Sequence, residues 1–112
     1  MKVSLGDLLA RLPGPATADW PDGEPFTDGL RQGTMSVEVF APRTKDYQQP
    51  HEQDELYFVV RGRATFIHEG ERMLAANGDA IFVAAGETHY FEDMSDDFVT
   101  WVVFWGPKGG ER

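Results

Sequence analysis

Beyond residue 33 the chain alternates short apolar or β-branched runs with turn residues, the runs falling at 34–40, 56–60, 64–68, 71–74, 80–84, 89–91 and 98–105. Val, Ile, Thr and aromatic side chains fit a pleated, half-buried surface, so each run predicts a strand. Seven strands crowded into residues 34–105 predict an all-β antiparallel sandwich or barrel. Two connections are short. His68, Glu69, Gly70 and Glu71 suit a tight hairpin, and Ala76 to Asp79 contains Asn77-Gly78, a pair that accepts positive φ. The N-terminal pattern differs. Leu5, Leu8, Leu9 and Leu12 recur at helical spacing behind Ser4, a potential cap, and Pro13-Gly14-Pro15 ends the helix. Residues 16–33 are rich in Pro, Gly, Asp and Thr, with Trp20, Phe26 and Leu30 as large apolar anchors, and predict a loop or irregular arm laid on the domain. Pro107, Gly109 and Gly110 predict a flexible tail. The expected organisation is a short helix and arm over 1–33, a barrel over 34–106 and a tail over 107–112.

At 112 residues the chain is sized for one domain. Its net charge of −9 repels nucleic-acid backbones and anionic lipid surfaces, so neither is an expected partner. The absence of cysteine removes disulfides and thiolate zinc sites. No stretch is apolar over the ~18 residues a membrane helix needs, and residues 1–12 lack a signal-type apolar core, so a soluble, cytoplasmic protein is expected. None of Ser4, Ser36 and Ser95 sits in a glycine-flanked elbow, which leaves no nucleophile motif.

The chemistry concentrates in three residues. His51 and Glu55 precede an extended apolar run, and His89 opens a later one. Two imidazoles and a carboxylate suit a divalent metal with open coordination positions. In an extended segment residues of equal parity share a face, which groups Gln49, His51 and Glu55, with Tyr57 next on the same side as a candidate pocket-wall or substrate-binding residue. Glu52 and Asp54 have the opposite parity and read as solvent-facing charges. His68, beside the predicted hairpin, reads as a structural or surface residue.

Residues 43–93 resemble the two conserved motifs of the cupin superfamily. The first, His, any residue, His, three or four residues, Glu, six residues, Gly, is matched by Gln49, His51, Glu55 and Gly62, with Gln replacing the first His. The second, Gly, five residues, Pro, any, Gly, two residues, His, three residues, Asn, is matched by Gly78, Ala84, Gly86, His89 and Asp93, with Ala for Pro and Asp for Asn. The glycine that commonly opens the first motif falls at Arg43. The resemblance implies a small single-domain double-stranded β-helix, or jelly-roll barrel, with one divalent ion (Fe, Mn, Ni or Zn) in its mouth. It implies Gln49, His51, Glu55 and His89 as the ligand set, Gln49 either ligating or hydrogen-bonding to a ligand. A neutral amide oxygen is relatively better for Mn²⁺ or Fe²⁺ than for later metals.

Three functions follow as expectations: a metal-dependent enzyme on a small organic molecule, dioxygenase-like or isomerase-like; a non-catalytic ligand-binding or sensing module; and a metal-free structural barrel. The run 98–105 is apolar at both parities, and hiding its outer face by homodimerisation agrees with the habit of small cupins.

Overall fold

The apolar runs fold as two packed antiparallel sheets in a computed structural model that describes residues 1–112. In chain order the elements are α1 (Leu5–Leu9), β1 (Phe26–Gln32), β2 (Met35–Phe40), β3 (Asp54–Arg61), β4 (Arg63–His68), β5 (Glu71–Ala76), β6 (Ala80–Val83), β7 (His89–Glu92) and β8 (Val99–Trp105). One sheet runs β1-β2-β8-β3-β6 and the other β5-β4-β7. The pairing of β2 with β8 and of β4 with β7 joins strands remote in sequence, as a jelly-roll barrel requires. No helix is long and apolar enough to cross a membrane.

Register decides what faces the interior. Ser36, Phe104, Glu55 and Val83 form one cross-strand row of the larger sheet, and Glu38, Val102, Tyr57 and Ile81 form the next. Side chains in a row share a face, so the inner surface passes from polar at the barrel mouth to apolar deeper in. There Phe40, Tyr57, Val59 and Val102 meet Phe66, Ala75 and Phe91 of the smaller sheet and form the core. The outer face of β2 and β8 carries Val39 and Val99, which Leu8 of α1 covers. The leucine stripe therefore does form a docking helix, although Ser4 stands at the N-cap without a side-chain cap bond.

Two local expectations are corrected. Residues 26–32, read as arm, form the edge strand β1. Its register slips between Asp28 and Leu30, a bulge at Gly29 that turns Arg31 to the same side as Asp28, and their side chains pair at 2.7 Å. Asn77-Gly78 turns the chain as expected, with Gly78 at φ 96°, and carries it from β5 in one sheet to β6 in the other. The hairpin at His68–Glu71 forms as expected, with positive φ at both Glu69 and Gly70. The tail is tied down: Gly109 N–H donates to Glu52 O (2.7 Å) and Glu111 N–H to the Asp54 carboxylate (2.9 Å). Gly62, the motif glycine, sits at φ 71° between β3 and β4, where a Cβ would lie 2.3 Å from Ser95 Oγ. Only glycine fits that crossing.

Candidate metal centre

β3 supplies Glu55, the segment before it supplies His51, and β7 of the opposite sheet supplies His89. The two sheets lean together at this end, and one donor atom from each of the three residues falls within 4.8 Å of the others. His89 Nε2 lies 2.6 Å from Glu55 Oε1, and His51 Nε2 lies 3.8 Å from the same oxygen. Glu55 and His89 are both 1% exposed. Apart from that close approach, both carboxylate oxygens of Glu55 and Nε2 of His89 are buried without a hydrogen-bond partner. Buried polar atoms are rarely left so, because each orphan costs about 1–3 kcal/mol and a charged one more.

The tautomer of His89 follows from its other nitrogen. Nδ1 lies 2.9 Å from the backbone carbonyl of Glu87, which can only accept, so Nδ1 carries a proton and Nε2 is the nitrogen turned to Glu55. Such an outer hydrogen bond is the usual support of a metal-bound imidazole. Burial lowers the pKa of His89, but the Glu55 carboxylate and the Glu87 carbonyl outweigh it and leave the group above its ordinary value. His51 moves down, because burial outweighs the attraction of Glu55. Two imidazole nitrogens and a carboxylate oxygen fit a divalent ion at 2.0–2.2 Å bond lengths, and such an ion would take up two of the orphan atoms, Nε2 of His89 and one oxygen of Glu55.

The centre opens on a cleft of about 710 Å³ lined by residues that include Trp20, Phe40, Tyr57, Phe104, Glu38 and Arg31. Tyr57 is 1% exposed, and its hydroxyl donates to Gln48 Oε1 at 2.9 Å. It stands at the cleft floor with its proton committed to Gln48. Gln49, at the motif position, is exposed on the cleft wall. The amide that reaches the centre is Gln48, whose Oε1 lies 3.2 Å from His51 Nε2. Parity reasoning missed it because β3 begins only at Asp54 and residues 48–53 are not strand. Asp54 departs from its expected solvent-facing role: at 5% exposure it accepts N–H bonds from Ala85 and Glu111. Those two donors hold its carboxyl below the ordinary range. His68 pairs with Glu87 at 3.0 Å, away from the centre.

Glu38 and Asp46 are the other groups missing from the sequence reading. Glu38 lies two strands from Tyr57, roughly 10 Å across the sheet. Burial and then the Asp28 carboxylate push its pKa up to about 8. The signal was a lone acid at inward parity between Ser36 and Phe40. Asp46, 6% exposed, accepts the N–H groups of Phe91 and Gln48, and burial raises its pKa against those bonds.

Comparison with known proteins agrees with this architecture. The family model described as "Cupin domain" matches residues 36–105, and this chain belongs to that family. The Streptomyces coelicolor protein SCO3923 is 43% identical over 81 residues, 70% of this chain and 77% of that protein. Among solved structures, the DMSP lyase DddQ from Ruegeria pomeroyi superposes with TM-score 0.67 at 24% identity, over 83% of this chain but only 52% of DddQ. KdgF from a Halomonas species gives 0.64 at 19% identity, over 74% of this chain and 80% of KdgF. A Cupin 2 conserved barrel domain protein from Salinispora arenicola gives 0.61 at 20% identity, covering 72% and 74% of the two chains. These structural likenesses define the jelly-roll cupin barrel.

Proposed function

We propose that the chain is a metal-dependent enzyme acting on a small organic molecule in the barrel mouth. The observation that carries this reading is the set of buried, unpartnered atoms on Glu55 and His89, placed beside His51 at the end of a cleft large enough for a metabolite. A divalent ion held by His51, Glu55 and His89 supplies Lewis acidity and open positions for oxygen ligands. The chain's own groups do the rest. Phe40, Phe104 and Val102 keep part of the cleft wall apolar, and Glu38 presents a carboxyl that is protonated near neutral pH and can give or take a proton. That carboxyl favours proton-transfer, isomerase-like chemistry, with dioxygenase-like chemistry as the other outcome of the test.

The test loads the protein with Fe²⁺ or Mn²⁺ and offers a panel of small hydroxy and keto acids and sugars. Oxygen uptake and solvent deuterium incorporation are followed together. Deuterium exchange without oxygen uptake is the expected result, lost in His51→Ala; oxygen uptake lost in that variant assigns the dioxygenase class. Turnover of nothing, with tight binding of a panel member, would make the barrel a binding module.

The same reading includes a cytoplasmic homodimer. Leu56, Val103 and Phe82 form an outward cross-strand row, Phe82 is 52% exposed, and its ring lies 6.2 Å from that of Trp105. A contiguous exposed apolar face of this kind is what a subunit contact hides. Sedimentation should give a dimer for the natural chain and a monomer for Phe82→Glu; identical sedimentation of the two removes this face as the contact.

A further inference from the structure

The first-motif position that Gln49 occupies is where the family resemblance looks for a fourth ligand, yet its side chain is exposed. The adjacent Gln48 is held in place from three sides. Its amide nitrogen donates to Asp46 Oδ2, its backbone N–H donates to Asp46 Oδ1 at 3.0 Å, and its amide oxygen accepts the Tyr57 hydroxyl at 2.9 Å. Asp46 is itself anchored by the Phe91 N–H at 2.9 Å. This pattern fixes which end of the amide is which. A flipped Gln48 would set its oxygen against the Asp46 carboxylate and its N–H₂ against the ring nitrogen and phenol it now faces. The oxygen therefore points at the centre, 3.2 Å from His51 Nε2.

His51 Nε2 is also the nitrogen that faces Glu55 Oε1, at 3.8 Å. Once a metal ion takes that lone pair, Nε2 bears no proton, and its hydrogen bond to the Gln48 oxygen is gone. The oxygen retains a second lone pair beside the one Tyr57 uses. Neighbouring ligands on an ion with bonds near 2.1 Å stand about 3 Å apart, and the Gln48 oxygen is already at that spacing from His51 Nε2. We propose that Gln48, and not Gln49, is the fourth protein ligand of the centre, binding through Oε1 with Asp46 and Tyr57 holding the amide. The proposal rests on the metal reading of the preceding subsection. Its chemical consequence is a centre with one neutral hard oxygen where a third imidazole would stand, which tilts preference toward Mn²⁺ and Fe²⁺ relative to Zn²⁺.

Titration of the metal-free protein with Co²⁺, read by calorimetry and by the visible d–d absorption bands, tests it. Gln48→Met keeps the side-chain length without the oxygen, and Gln48→Glu restores an oxygen ligand. Expected results are a 10- to 100-fold weaker Kd and shifted d–d bands in Gln48→Met, recovery of part of that affinity in Gln48→Glu, whose second oxygen meets the Asp46 carboxylate, and less than about twofold change in Gln49→Ala. Circular dichroism checks that each variant is folded, and a Gln48→Met chain that fails to fold transfers the decision to the spectra of Gln48→Glu and Gln49→Ala. Unchanged bands in both Gln48 variants, or loss of affinity in Gln49→Ala, overturn the proposal. If His51→Ala binds Co²⁺ like the natural chain, the metal reading itself has failed. Loss in His51→Ala with unchanged Gln48→Met overturns only the fourth ligand.

Discussion

Replacing His89 with alanine is expected to abolish stoichiometric metal binding while leaving the barrel folded. His89 gives the only donor from the smaller sheet, so its loss leaves His51 and Glu55 on one wall with no group opposite. Loss of an outer hydrogen-bonding partner alone typically weakens a site 10- to 100-fold; removal of a direct ligand should exceed that. Elemental analysis after dialysis is the direct reading. A thermal scan gives a second, because a ligand at 100 times its Kd stabilises the folded state by about 2.7 kcal/mol. For a domain of this size that amounts to roughly 10 °C in Tm. The natural chain should gain this on adding metal, and His89→Ala should not. Equal metal content in the two proteins would end the assignment.

The affinity of the natural chain should also depend on pH in a stated direction. The ion needs Nε2 of His89 unprotonated, and this imidazole sits above its ordinary value of 6.5. Competition from protons therefore begins above that pH as acid is added, and affinity falls as pH falls. His51, held lower by burial, adds its own competition only at more acid pH. Metal titrations at several pH values check this; an affinity that rises on acidification contradicts ligation by His89.

Glu38→Gln should change how stability varies with pH. The folded chain keeps a proton on Glu38 up to about pH 8, whereas the unfolded chain releases it near 4.5. Between those values folding takes up a proton, so this group's contribution is fully present below about 4.5 and is lost as pH rises through about 8. The shift corresponds to an upper limit of roughly 5 kcal/mol, and partial contact with cleft water brings the expectation nearer 2 kcal/mol. Urea unfolding at pH 5, 7 and 9 should show the natural chain losing stability relative to Glu38→Gln by about that amount across the window. Parallel pH profiles for the two proteins would mean that Glu38 ionises normally. On the enzyme reading the same substitution removes the proton donor, so activity should fall while Co²⁺ affinity stays unchanged.

The amino-acid order alone carried the alternation that makes β2 to β8, the leucine stripe of α1 and the spacing of His51, Glu55 and His89, because each is written in neighbouring side chains. The strand β1 was invisible: Phe26–Gln32 holds Gly, Asp, Arg and Gln, and it is a strand because β2 offers it a ladder of backbone partners. Asp54 read as a surface charge because the two N–H groups that bury it come from Ala85 and from Glu111 at the far end of the chain. That the amide beside His51 is Gln48 was hidden for a related reason. Alternation of faces holds only inside a paired ladder, and Gln48 precedes the ladder, so its direction is set by Asp46 and Tyr57. Local periodicity thus named the elements and three of the polar groups. Contacts between residues far apart in the chain decided which edge is paired, which acid is buried and which glutamine faces the site, and those depend on register that no short stretch of side chains encodes.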